Sequence, residues 1–203
     1  MSIEMVFPIP VLLDKFHRPM NSEELAYAQS VSLRRNVSNC SSNETYVLKN
    51  PVFQELNSWL EAKAKRFFHE IYNPLGQVEL YITQSWINHS EVGEEHHVHA
   101  HPNSILSGVF YFDADPAVDK ITFIKSITKD IDILPVQYNP FNSNTWYYSV
   151  DIGQLILFPS SLKHTVETVP PSPKRKTRIS LSFNTFIRGH INPGISLSEL
   201  ILP

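Results

Sequence analysis

The chain has 203 residues, of which 42% are hydrophobic, 11% aromatic and 18% charged, enough apolar sequence for one cored domain and too much for a disordered chain. A net charge of -3 excludes the basic footprint of a nucleic-acid-binding domain, and no apolar run is long enough to span a bilayer. The lone Cys40 permits no internal disulfide, and Met1-Ser2-Ile3-Glu4-Met5 lacks the basic and apolar regions of a signal peptide, so a soluble, cytoplasmic protein is expected and the sequons at Asn36, Asn39, Asn43 and Asn88 are discounted.

In chain order, residues 5–13 are apolar but carry Pro8 and Pro10, which suits an edge strand. Asn21-Ser22-Glu23-Glu24 caps a helix expected to run toward Arg35, and the polar stretch 36–43 reads as a loop. A longer helix is expected over 51–72, with Pro51 in its first turn. Val52, Phe53, Leu56, Trp59, Leu60, Phe67, Phe68 and Ile71 recur at helical spacing, with Glu55, Lys63 and Lys65 opposite. Such a stripe must bury itself, so it reads as core, and Asn73-Pro74-Leu75-Gly76 ends it.

After Gly76 the pattern changes to short strands rich in β-branched and aromatic residues, at 77–89, 104–112, 120–127, 145–150, 154–158, 164–169 and 177–187. No strand alternates with a helix, so a parallel α/β sheet is not expected. The expected fold is mainly β with N-terminal helices, a sandwich or jelly roll. Residues 1–76 form an N-terminal elaboration and 77–203 the β-rich core of a single structural domain. Lys174-Arg175-Lys176 reads as a solvated loop edge. The aromatic, turn-rich segment 131–148, with Tyr138, Phe141, Trp146, Tyr147 and Tyr148, suits either a loop that shapes substrate entry or a packed hairpin.

Nine histidines is a high count, and His96, His97, His99 and His101 fall within six positions. On an extended chain His97, His99 and His101 share one face, with His96 opposite. Imidazoles on one face can share a metal, although a histidine-rich polar loop has the same appearance. Further on, Gly153 marks a tight turn, Gln154-Leu155-Ile156-Leu157-Phe158 a buried strand, Pro159 a loop, and His164 opens another strand. Arg178 and Ser180 then share a strand face, and an arginine beside a hydroxyl suits a carboxylate.

These pieces, in this order, resemble the 2-oxoglutarate and Fe(II)-dependent oxygenases. The matching stretches are Trp86-Ile87-Asn88, His99 through Tyr111 (H-x-H-P-N-S-x-x-S-G-V-x-Y), Gly153 through Val166 (G-x-L-I-L-F-P-S-x-x-x-H-x-V) and Arg178 through Asn184 (R-x-S-x-S-F-N). The resemblance implies a double-stranded β-helix, a cupin-like jelly roll, with iron at its mouth. It implies that His99, His101 and His164 hold Fe(II), and that Arg178 pairs with the distal carboxylate of 2-oxoglutarate with Ser180 and Tyr111 as hydrogen-bond partners. The implied activity is oxidative decarboxylation of 2-oxoglutarate to succinate with dioxygen, coupled to hydroxylation of a substrate that the sequence does not specify, small molecule or macromolecule. Trp86, Asn88 and Asn184 are candidate substrate-pocket residues; Phe158 and Phe183 are candidate wall residues that suit the core better.

The wider superfamily uses two histidines and a carboxylate, whereas the second position here is a histidine. The pair His97/His99 is an alternative register, and Glu94, Glu95 or Asp113 an alternative carboxylate ligand. Two other functions fit parts of the pattern: a cupin-type metal enzyme that does not use 2-oxoglutarate, and a non-catalytic β-sandwich binding module. The oligomeric state stays open, with a homodimer among the options.

Overall fold

The computed structural model of the chain describes residues 1–126, 131 and 133–203. Strand β1 (Leu12–Lys15) is followed by α1 (Ser22–Ser30), β2 (Leu33–Arg35) and β3 (Cys40–Ser42), then two 3₁₀ turns and α2 (Gln54–Tyr72). The β-rich part comprises β4 (Val78–Ser90), β5 (His96–His99), β6 (Leu106–Asp113), β7 (Lys120–Ile124), β8 (Thr145–Ser149), β9 (Gln154–Pro159), β10 (His164–Val166), β11 (Arg178–Ile191) and β12 (Leu200–Leu202). No helix among the described residues is long and apolar enough to cross a membrane.

The strands form two antiparallel sheets. The larger runs β1-β9-β6-β11-β4-β3-β2, with β12 also paired to β11, and the smaller runs β5-β10-β7-β8. The architecture is a mainly β jelly roll with its helices ahead of the seven strands expected from periodicity. The main core lies between α2 and the large sheet: Leu56, Leu60 and Phe67 meet Ile87, Phe110, Leu181 and Phe183. A second cluster, with Tyr111, Ile121, Phe123, Ile156 and Phe158, lies between the sheets. Period-two alternation along β11 serves both sides of its sheet. Ile179, Leu181 and Phe183 enter the helix-side core, and Arg178, Ser180 and Ser182 line a cavity on the other face.

The N-terminal expectations need correction. Residues 5–11 form no strand; β1 begins at Leu12, beyond the two prolines that cannot donate to a ladder, and sits at the sheet edge. Helix α1 starts where expected, with Asn21 and Glu24 forming a capping box, but ends at Ser30. Val31 turns extended, and Leu33–Arg35 pairs with Cys40–Ser42. The stretch 36–43 is therefore the tip and second strand of a hairpin, closed by Asn36 N–H donating to Asn39 O at 2.8 Å. Helix α2 begins at Gln54 rather than at 51, because Pro51–Phe53, with Val52 and Phe53 of the expected stripe, form a 3₁₀ turn; from Leu56 on the stripe is as expected, and the helix ends on left-handed Asn73. Strand β7 ends at Ile124; of the expected span 120–127, position 127 lies outside the described residues. In the segment 131–148, of which position 132 is likewise outside, β8 pairs with β7 and Tyr148 packs on the inter-sheet cluster, while Tyr138, Phe141 and Tyr147 are exposed.

Arg175 is not solvated. Its side chain is fully buried, and its Nε and Nη2 donate to Asp119 Oδ2 and Oδ1 at 2.5 and 2.6 Å. The bidentate pair is what lets a guanidinium leave water. Asp119 is fixed in turn, because its Oδ2 accepts the backbone N–H of Asp115 at 2.8 Å.

Two stability predictions follow from this packing. A Cβ on Gly108 of β6 would stand 2.2 Å from Phe183 Cζ and 2.7 Å from Leu157 Cδ2. Gly108→Ala should therefore cost about 1–3 kcal/mol by overpacking, read as a lower urea midpoint at unchanged slope. Asp119→Ala strands a buried guanidinium and should cost about 3–5 kcal/mol, whereas the paired replacement Asp119→Leu with Arg175→Met should recover most of that loss in the same assay.

Candidate functional site

Three histidines from two chain segments meet at the end of the cavity. His99 ends β5, His164 opens β10, and the two are register partners across the antiparallel pair. His101 follows in the turn to β6, where its backbone N–H donates to Ser160 O at 2.9 Å. A hydroxyl chain braces this turn: Ser160 Oγ donates to Ser104 Oγ, and Ser107 Oγ lies against Ser160 Oγ, both at 2.8 Å. One imidazole nitrogen from each of His99, His101 and His164 lies within 4.8 Å of the other two.

Backbone carbonyls set two of the three rings. His99 Nδ1 lies 2.8 Å from His97 O and His164 Nδ1 lies 3.0 Å from Leu162 O. A carbonyl only accepts, so each Nδ1 carries the proton and each Nε2 presents its lone pair. His101 Nε2 and His164 Nε2 face each other at 3.4 Å. Burial, reinforced by the neighbouring imidazoles, pushes His164 down to about 3 and His101 to about 4, and it also lowers His99. The rings are neutral at pH 7, with converging lone pairs. That donor set fits a first-row divalent ion.

His97 is outside the ligand group, although its ring centroid is 5.2 Å from that of His99. Its ring does not line the cavity, and its buried Nδ1 has no partner among the described residues. His96, expected opposite His99, lies beside it in the cavity wall, with ring centroids 4.5 Å apart. The reason is a bulge. Val166 pairs with His96 and His164 with His99, so three steps on β5 match two on β10, and the alternation breaks. No carboxylate belongs to the ligand group among the described residues. Glu94 pairs with Arg35, Glu95 is exposed, and Asp113 is outside the cavity lining.

Arg178 stands in the same cavity wall, one of two guanidinium groups that are buried nearby. Its Nη2 donates to Ser90 Oγ at 3.2 Å, and its closest carboxylate is Asp119 Oδ1 at 3.9 Å from Nη1, beyond hydrogen-bond reach. Arg175 already takes both Asp119 oxygens. Counting Arg175, Arg178 and Asp119 leaves one positive charge at the cavity wall. Burial lowers the Arg178 pKa, against the opposing influence of Tyr111 and Asp119. Burial holds the Tyr111 phenol well above its usual value, so it stays protonated and can donate. Ser180 lines the cavity beside it.

Asn88 also faces this cavity. Its Nδ2 donates to Ser182 Oγ at 3.0 Å, while its buried Oδ1 has no donor among the described residues. Because a hydroxyl can donate as well as accept, the reversed amide satisfies Ser182 equally and turns an NH₂ toward the cavity. Exposed N–H donors and an unneutralised guanidinium fit a small carboxylate ligand.

The remaining candidates lie further out. Trp86 is half-buried, its ring 6.0 Å from that of His101. Asn184 shares the face of Ser182 but accepts from Ser107 Oγ at 2.9 Å and does not line the cavity. Phe183 belongs to the helix-side core, and Phe158 packs on the His164 ring at 4.6 Å. His96, Asn39 and Ser90 line the cavity without having been singled out from sequence. Asn39 and Ser90 carried no local signal, since a hairpin and a strand end bring them there.

Comparison by sequence with curated proteins gives no match. Residues 84–184 match the family model described as "Putative 2OG-Fe(II) oxygenase", 2OG being 2-oxoglutarate. Among solved structures, the chain is similar to a 2OG-Fe(II) oxygenase family oxidoreductase from Burkholderia pseudomallei, at 14% identity over 86% of this chain and 83% of that one, with a TM-score of 0.56. It is similar to HygX from Streptomyces hygroscopicus, solved with nickel and 2-oxoglutarate, at 9% identity over 87% and 82% with a TM-score of 0.57. It is also similar to a prolyl-4-hydroxylase from Pseudomonas putida, at 10% identity over 87% and 92% with a TM-score of 0.56. At these identities the structural likeness is one of fold. The family match spans His99, His101, His164 and Arg178, and over residues 84–184 the chain matches the 2OG-Fe(II) oxygenase superfamily.

Proposed function

We propose that His99, His101 and His164 hold Fe(II), and that Arg178, with Ser180 and Tyr111, binds the distal carboxylate of 2-oxoglutarate. The observation that carries this reading is the pairing of features in one cavity: converging imidazole lone pairs and a buried guanidinium with no hydrogen-bonded counter-ion. When bound, iron and 2-oxoglutarate supply oxidative decarboxylation with dioxygen, giving succinate and coupling to substrate oxidation, here a hydroxylation.

The protein's part is positional and electrostatic. Leu162 O and His97 O hold two imidazoles with Nε2 inward. Arg178 offers a bidentate fork to a carboxylate and Tyr111 a phenolic donor, both from buried side chains. A ligand set of three neutral imidazoles leaves a divalent ion about one charge more positive than two histidines and a carboxylate do. A cupin-type enzyme without 2-oxoglutarate has no use for a buried cation at this place, which favours the oxygenase reading. In this reading the jelly roll is a double-stranded β-helix of the cupin-like kind, with 1–76 packed on 77–203 as one domain. Substrate then approaches past Trp86 and Asn184, with Asn88 deeper.

The test is an anaerobic titration of 2-oxoglutarate into the Fe(II)-loaded protein, followed by the visible metal-to-ligand charge-transfer band. A saturable band is expected; iron bound without a band would favour the cupin alternative. His164→Ala should abolish Fe(II) binding with the fold intact. Arg178→Ala should weaken 2-oxoglutarate by about 2–5 kcal/mol while metal affinity holds. Normal binding of both ligands by Arg178→Ala would place the carboxylate clamp elsewhere.

A further inference from the structure

His96 is the one histidine of the cavity wall that does not belong to the candidate ligand group. The β5 bulge turns it inward, and its carbonyl is tied down by Thr165 Oγ1, which donates at 2.6 Å. Its ring stacks on His99 with 19° between planes, so its orientation is fixed. Among the described residues its ring nitrogens have no hydrogen-bond partner. It lines the same cavity as His99, His164 and Arg178.

We propose that His96 is a cosubstrate-binding residue, donating its ring N–H to a carboxylate or keto oxygen of 2-oxoglutarate. The proposal rests on the reading above. A five-carbon keto diacid held by both the histidine cluster and Arg178 would share the cavity with the His96 ring. Ser180 and Tyr111 are assigned to the carboxylate at Arg178, and the His96 ring offers a further donor beside the histidine cluster, in addition to the Asn88 amide. The half-buried His96 ring has a donor to offer, and a hydrogen bond from it to an anionic oxygen is of the stronger, charge-assisted kind. His96 thereby also selects for a ligand with oxygen at that point of its chain.

The experiment compares wild type, His96→Phe and His96→Gln as full chains. Phenylalanine keeps the stacking on His99 and removes the donor; glutamine restores a donor. Fe(II) affinity is measured on its own, and 2-oxoglutarate affinity from the charge-transfer band under anaerobic conditions. His96→Phe should raise the Kd for 2-oxoglutarate at least about tenfold, the loss of one hydrogen bond to a charged group, with Fe(II) affinity within about twofold of wild type. His96→Gln should recover part of the loss. An unchanged 2-oxoglutarate Kd in His96→Phe would make the ring mere wall and overturn the proposal. A matching collapse of Fe(II) affinity would overturn it by making His96 a ligand. If His96→Phe does not fold, His96→Leu is judged by the same two numbers. A wild-type protein that binds iron but gives no band overturns the underlying reading instead, before any variant is compared.

Discussion

The register of β11 is the constraint on which the site depends. This strand lies between β4 and β6 in the large sheet, and its 14 residues carry both the core and the cavity. Side chains alternate along it, so Ile179, Leu181 and Phe183 face the helices only if Arg178, Ser180 and Ser182 face the smaller sheet. A slip of one residue would drive a guanidinium into the hydrocarbon core and Phe183 into the polar cavity. The register is pinned by shape. The Phe183 ring occupies the space that a side chain at position 108 would need, and Gly108 is its partner on β6. The same glycine that lets the core close therefore sets which residues face the cavity.

The second constraint is electrostatic. Two guanidinium groups are buried within reach of one carboxylate, and geometry divides them unequally. Arg175 takes both oxygens of Asp119, and Arg178 is left at 3.9 Å with a neutral hydroxyl as its hydrogen-bond partner. Had Asp119 bonded Arg178 directly, an incoming carboxylate would have to displace it and leave a buried aspartate unpaired. With Arg175 holding Asp119, Arg178 stays fixed in place yet free to pair. On the proposed reading, the neutral pair is the scaffold and the second arginine the receptor.

What the sequence disclosed follows from how local each signal is. The α2 stripe and the strands after Gly76 are periodic over many residues, and their burial in the structure follows that period. The positions His99, His101, His164 and Arg178 are named through the resemblance of their motifs to a family; on spacing alone the pair His97/His99 is an equal choice. Three features were beyond local reading. Strand β5 is His-His-Val-His, which has no apolar alternation to mark it. The inward turn of His96 depends on a bulge defined by a partner strand more than sixty residues away, and such a mismatch leaves no trace in the segment itself. Arg175 sits in a run of basic residues and looked solvated, because its counter-ion Asp119 is 56 positions distant. The hairpin of β2 and β3 was hidden for a related reason: polar residues that suit a loop also suit a short strand near a sheet edge.

On the proposed ligand set, the two ends of the cavity act on each other. A divalent ion on three neutral imidazoles and an unneutralised Arg178 would together place about three positive charges in surroundings of low dielectric. Each end repels the other until a dianion lies between them. An acidic ligand of the metal would reduce that charge at once and leave less for the keto diacid to neutralise. Three histidines leave more of the neutralisation to the diacid, so the favourable coupling between metal and 2-oxoglutarate binding should be stronger than with a carboxylate in the set. Linkage makes that coupling reciprocal: whatever the diacid gains from the ion, the ion gains from the diacid. The departure from the usual triad is then of a piece with the buried arginine, since both leave to the ligand the charge that a carboxylate side chain would otherwise supply.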